Sequence, residues 1–149
     1  MTTPLGPGAG HGERMTVLNA SGAAIPRGYA VELDTAAVFA ANKFLTDSLD
    51  YDEITVQAAV AGTPLGVTVK ALADGERGEI VCKGLVQCHA DDTIVADDPV
   101  VIISGGKMDN EGGTGIHSDA FFGTWLAAVV AENLGLAFVW FSPLPRIGV

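Results

Sequence analysis

The stretch PLGVTVKALADGERGEIVCKGLVQCH (Pro64–His89) decides how this chain folds. Leu65, Val67 and Val69 recur at alternate positions, the period of a strand that buries one face. Ala71 to Gly78 places two glycines among Asp74, Glu76 and Arg77, the composition of a turn. Ile80, Cys82, Gly84, Val86 and Cys88 then alternate with Glu79, Val81, Lys83, Leu85 and Gln87, which reads as a return strand. The whole is a β-hairpin with a long loop.

Upstream, Ile54 to Val60 (ITVQAAV) reads as a strand entering the hairpin through Gly62-Thr63-Pro64. Met15 to Leu18 makes a first strand, turned by Asn19 to Gly22. In Ile25 to Leu33 (IPRGYAVEL), Pro26 and Gly28 break the pattern before Tyr29, Val31 and Leu33 alternate. Thr35 to Leu49 admits two readings. Asp34 or Thr35 could cap a short Ala-rich helix, or Val38-Phe39 and Phe44-Leu45 could lie on strands.

Downstream the order recurs. Ile94 to Ile102 (IVADDPVVI) has the spacing of Ile25 to Leu33, and Leu126 to Val130 resembles Leu65 to Val69. A return strand follows in each case, Glu79 to Val81 in one and Leu136 to Val139 in the other. These patterns predict an all-β domain, or a mainly β one with a short helix, over 15–149. Two weakly repeated units, about 15–90 and 91–141, would close one barrel or sandwich. Residues 1–14, rich in Pro and Gly, form a flexible N-terminal arm, and Pro143 and Pro145 keep the C-terminal tail extended.

At 149 residues the chain is one domain with room for an apolar core. A net charge of −10 and eight scattered Lys and Arg argue against a surface that tracks nucleic-acid phosphates. Hydrophobic residues make up 48% of the chain, yet no apolar run approaches the ~18–20 residues that span a membrane. The surplus belongs to a subunit interface rather than lipid. The first residues lack the charged-then-apolar design of a signal peptide. Cys82 and Cys88, about 20 Å apart on one strand, read as reduced core thiols.

Several clusters have the residue types of chemistry without its spacing. Cys82, Cys88, His89 and Asp91 do not match paired zinc ligands. His117-Ser118-Asp119 are sequence neighbours, whereas a triad is assembled from separated segments. The loop Ser104 to Gly115 lacks the acidic positions of a calcium loop and the Lys-Ser/Thr ending of a phosphate loop. No catalytic residue, metal or cofactor is expected, and the chain does not read as an enzyme. The late aromatics suit either a barrel core or a subunit contact. Trp125, Phe138, Trp140 and Phe141 are the candidates for that contact.

Three motifs point to a family. Ala23 to Val31 (AAIPRGYAV) looks like an "AAI-x-x-G-x-x-V" entry into a strand. Pro64-Leu65-Gly66-Val67 with Gly78-Glu79-Ile80-Val81 and Gly84 looks like a "plGVa…GE-x-v-x-v-x-G" hairpin. Thr93-Ile94 with Asp98-Pro99-Val100 looks like an "I-x-x-G-D-P-V" element. From Leu18 to Phe141 the chain resembles the head-decoration, or capsid cement, proteins of tailed phages. It departs from them in the insert from Thr35 to Tyr51 and in its aromatic-rich end.

The resemblance implies a compact β-barrel or β-tulip domain on the outer surface of the virion shell, made in the host cytoplasm. It implies two partners, the major capsid protein and further copies of this chain as a homotrimer, with no nucleic acid or membrane. The arm, through Pro4, Leu5, Pro7, His11 and Arg14, is expected to meet the capsid. Two rival readings stand beside it. One is a trimeric β-barrel enzyme with an intersubunit small-molecule site drawing on His89, Asp91, Asp92 and His117. The other is a secreted β-sandwich binding module, against which the missing leader and unpaired thiols count.

Overall fold

The computed structural model describes residues 12–34, 54–59, 63–103, 105–110 and 121–141. These form nine strands and no helix: β1 (Glu13–Asn19), β2 (Ala30–Leu33), β3 (Ile54–Ala58), β4 (Pro64–Thr68), β5 (Arg77–His89), β6 (Val101–Ile102), β7 (Met108–Asp109), β8 (Gly123–Trp125) and β9 (Leu134–Trp140). The ambiguous stretch from Thr35 to Leu49 lies outside the described residues, as does most of the N-terminal arm. β1 begins at Glu13, ahead of the expected Met15, because Glu13 and Arg14 already pair with Lys83 and Val81 of β5.

β5 organises the molecule. It runs for 13 residues, about 40 Å at ~3.3 Å per residue. Its even positions from Ile80 to Cys88 are all buried, as their alternation predicts. The N-terminal half pairs with β4, placing Val67 opposite Val81 and Thr68 opposite Ile80, and also with β1. The C-terminal half pairs with β9, from Lys83 opposite Trp140 to His89 opposite Leu134.

The first half of β5 closes a five-stranded barrel in the order β1-β3-β2-β4-β5, with β1 returning to β5. β1 and β3 run parallel; the other neighbours are antiparallel. Closure leaves no free strand edge. Val17, Ile25, Val31, Val56, Leu65, Leu72, Ile80 and Cys82 fill the interior.

The second half of β5 belongs to a smaller ring. β9 pairs with β5, β8 with β9, and β6 with β7. The Pro99–Thr124 bridge ties the lead-in to β6 onto β8, and a parallel bridge from Met108 to Ala90 joins β7 to the end of β5. Its interior holds Val86, Cys88, Ile94, Val100, Ile102, Met108, Trp125, Val129, Ala137 and Val139. Val67, Val81 and Ala30 point out of the first barrel into this same cluster. Hence β4 is buried at every position, with Leu65 facing one core and Val67 the other.

The two rings use one bonding plan. Ile25 and Leu72 exchange backbone bonds of 2.8 Å, and Ile94 and Val129 exchange bonds of 2.8 and 3.0 Å. Gly28 N donates to Thr68 O as Asp97 N donates to Trp125 O; Asn19 N donates to Glu76 O as Ala90 N donates to Asn133 O. Thr68 opposite Ile80 has its counterpart in Trp125 opposite Ala137. The bonds match Val69 with Leu126, whereas the apolar pattern matched Val69 with Val130. The reason is that Leu126 and Val130 are exposed residues flanking a turn, and their hydrophobicity imitates a strand.

Both cysteines are buried free thiols, Cys82 in the first core and Cys88 in the second. Burial pushes both thiols above their ordinary pKa, aided at Cys82 by the charge of Glu13.

Candidate interaction surface

β9 alternates cleanly. Gly135, Ala137 and Val139 are buried, while Leu136, Phe138 and Trp140 face out. The residues directly opposite on β5 are Gln87, Leu85 and Lys83, so all six share one sheet face. Trp140 is 61% exposed. The Lys83 ammonium lies 4.2 Å from the Trp140 ring centroid, a cation–π contact. The outcome is an apolar ladder of Leu85, Leu136, Phe138 and Trp140 on the outside of a folded chain.

Beside this ladder, where the rings meet, lies a groove of about 180 Å3 lined by Arg14, Arg27, Leu85 and Gln87, with Thr68, Val69 and Val86. Arg27 donates to the Gln87 side-chain oxygen at 2.9 Å. Arg14 forms a 3.3 Å ion pair with Glu79. Three cationic side chains, Arg14, Arg27 and Lys83, therefore border an apolar strip in a chain of net charge −10.

Both ends of the described chain reach β5 at one level. Glu13 lies opposite Lys83, and Phe141 N donates to Cys82 O at 2.7 Å. Gly12 passes so close that a Cβ there would sit 1.8 Å from Lys83 O, so this position accepts only glycine.

A second cluster sits at the seam. Glu132 Oε1 lies 2.9 Å from both His89 Nε2 and Lys107 Nζ, and Lys107 is 3.7 Å from Asp91. Tyr29, from the first barrel, tilts against His89 with ring centroids 5.3 Å apart. The His89 bond, then the Lys107 bond, hold the Glu132 carboxyl below its ordinary pKa; the bond to Glu132 raises Lys107. This is a clamp between turns. Among the described residues, no three His, Cys, Asp or Glu side chains converge as a metal site requires.

The residues expected to matter are dispersed. Pro4, Leu5, Pro7, His11 and His117 lie outside the described residues, while Arg14 sits in β1 and lines the groove. Asp92 is exposed, and its carboxylate accepts a bond from Thr93 N. Of the expected contact aromatics, Phe138 and Trp140 face out, but Trp125 and Phe141 are interior. Trp125 donates its indole N–H to Asp109 O at 3.2 Å, and Phe141 stacks on Phe122. Neither presents a ring to a partner, because both follow the inward parity of their ring. Leu85 and Leu136, which complete the ladder, were missed; the alternation of β9 against β5 was the signal that could have found them.

No protein-family model and no curated protein matches the sequence. Among solved structures, the chain is similar to the N base of head fiber gp8.5 of bacteriophage phi29, with a TM-score of 0.57 at 15% identity. The likeness covers 90% of this chain and 98% of that one, so the two share a fold across nearly their whole length.

Proposed function

We propose that this chain is a structural protein of a tailed-phage head, bound to the outer surface of the shell and reinforcing contacts between capsomers. The carrying observation is the fold likeness to the base of a phage head fiber, at a TM-score of 0.57 over 90% of the chain. Physical chemistry agrees with the role. Reinforcement asks for a rigid domain and many contacts of modest strength that add by avidity. Two rings welded along one strand supply rigidity, and the outward ladder on β9 supplies apolar contact area. Net negative charge keeps such a protein off packaged nucleic acid.

In this reading copies assemble as a homotrimer, and residues 1–11 bridge to the major capsid protein from the level of Lys83. Removing residues 1–11 should abolish shell binding and leave thermal unfolding unchanged. The decisive measurement is quantitative mass spectrometry of gradient-purified particles from the source of this sequence. Recovery at a fixed high ratio to the major shell protein is expected. Absence from intact particles, with the protein free in the lysate, would overturn the assignment.

A further inference from the structure

The aromatic ladder has a complementary surface on the same chain, at the other end of β9. The Ile94–Val129 bridge sets two turns side by side, closed by Asp98 N to Val95 O and Asn133 N to Val130 O, each at 3.2 Å. Val95 and Val130 project from these turns, 62% and 69% exposed. Asp97 and Asp98 belong to the Val95 turn, where Asp98 accepts from Val95 N at 3.0 Å. Glu132 belongs to the Val130 turn, and the exposed Asp92 immediately precedes Thr93 and Ile94. The tip is apolar with a mainly acidic rim, with Lys107 bound to Glu132. The ladder is apolar with a mainly basic rim of Arg14, Arg27 and Lys83, where Glu79 pairs with Arg14 and Glu13 faces Lys83 in the register. Leu134, next to the tip, and Trp140 lie at opposite ends of β9, about 20 Å apart at ~3.4 Å per residue.

Among the described residues Arg27 and Lys83 make no ion pair, although Glu13 faces Lys83 in the register. Asp92 and Asp97 make none either. Opposed charge on the two rims favours bringing these apolar strips together.

We propose that copies of this chain associate head to tail, the acidic tip of one seating Val95 and Val130 against the Leu85–Phe138–Trp140 ladder of the next. Such a contact joins two different surfaces, so it is heterologous and closes into a ring when the rotation between copies allows. Opposed charge at the rim sets orientation and speeds encounter, and the apolar centre supplies the holding energy. The contact deepens the self-assembly part of the proposed function. It requires no shell, so failure to bind capsids leaves it standing.

Sedimentation velocity on the purified chain tests it. The wild type should form species larger than a monomer that shrink as salt rises. A ladder-dead variant, Arg27→Glu with Lys83→Glu, and a tip-dead variant, Asp92→Lys with Val130→Lys, should each be monomeric alone. Mixed in equal amounts they should yield a dimer and nothing larger, because one live tip meets one live ladder. Trp140→Ser and Val95→Lys repeat the test should a charge variant fail to fold, as judged by its melting. A monomeric wild type would overturn the proposal. So would a variant that assembles alone, or a mixture that stays monomeric.

Discussion

The two rings share a bonding plan and differ in what they place where that plan bends the backbone. At two matched left-handed positions the first barrel has Gly28 and Gly75, with φ of 80° and 84°. In the second they are Asp97 and Glu132, with φ of 74° and 64°. A side chain there costs roughly 1–2 kcal/mol, less for Asp than for Glu. The smaller ring therefore bears strain that the barrel avoids, at two residues that project from its exposed tip. Glu132 uses its carboxylate to hold His89 and Lys107. The interiors differ as well, since Trp125 fills the place that Thr68 takes in the barrel. The barrel obeys its backbone, while the smaller ring trades some stability for an acidic surface.

The strongest way to break this comparison is to empty the matched interior positions. Trp125→Ala removes a fully buried indole and should cost about 3–5 kcal/mol. Thr68→Ala, which takes away the 2.8 Å bond to Pro26 O, should cost about 1–2 kcal/mol. Urea unfolding would measure both. Because β5 is a wall of each ring, both variants should unfold in one transition, and a barrel that outlives the smaller ring would show the shared strand does not couple them.

Swapping the left-handed residues sharpens the comparison at lower amplitude. A Cβ on Gly75 would meet nothing within 4 Å, so Gly75→Ala isolates the backbone penalty and should destabilise by about 1–2 kcal/mol. Asp97→Gly should move the other way, by at most about 1 kcal/mol, since Asp tolerates this conformation better than most residues. Denaturant midpoints for the pair decide it. Equal signs would mean that strain is not what separates the rings.

How far this architecture could be read in advance follows from the same residues. The alternation from Ile80 to Cys88 identified β5 and its inward face, because strand period is a local property. The burial of Val81 was not legible, nor was the entry of Val67 into a different core from Leu65: both arise from the second ring packing on the outside of the first, a non-local event. Trp125 looked like an interface anchor because size and aromaticity do not reveal parity when β8 is only three residues long. Phe138 and Trp140 sit on a strand of seven, where parity is plain once Gly135, Ala137 and Val139 are seen to be the small, inward set. The seam clamp was invisible, since His89, Lys107 and Glu132 are far apart in sequence and meet only through the closing turns.

The smallest expected effect concerns that clamp and depends on pH. Glu132 has its carboxyl held below the ordinary 4.5, so its contribution is complete above that value and disappears as pH falls through the lowered one. Lys107 is raised above 10.5, so its contribution is complete below that value and disappears as pH rises through the raised one. Both side chains are open to solvent, which screens the interaction and keeps the effect small. The quantity to follow is the difference in melting temperature between wild type and Glu132→Gln across the pH range. It should be widest near neutrality and narrow on both the acid and the alkaline side. Asp98 also has a lowered carboxyl, through Asn110 and the Val95 N–H, so both proteins lose stability in acid and only the difference between them reports on Glu132. The barrel offers the control: Glu76 is lowered by the Ala73 N–H and then by Lys70, within one turn of the first ring. Glu76→Gln should narrow its own gap in acid while leaving the Lys107 arm of the profile intact. A Glu132→Gln difference that stays constant from acid to alkali would mean the clamp contributes nothing to folding. The left-handed turn at Glu132 would then not be offset by the bonds of its carboxylate to His89 and Lys107.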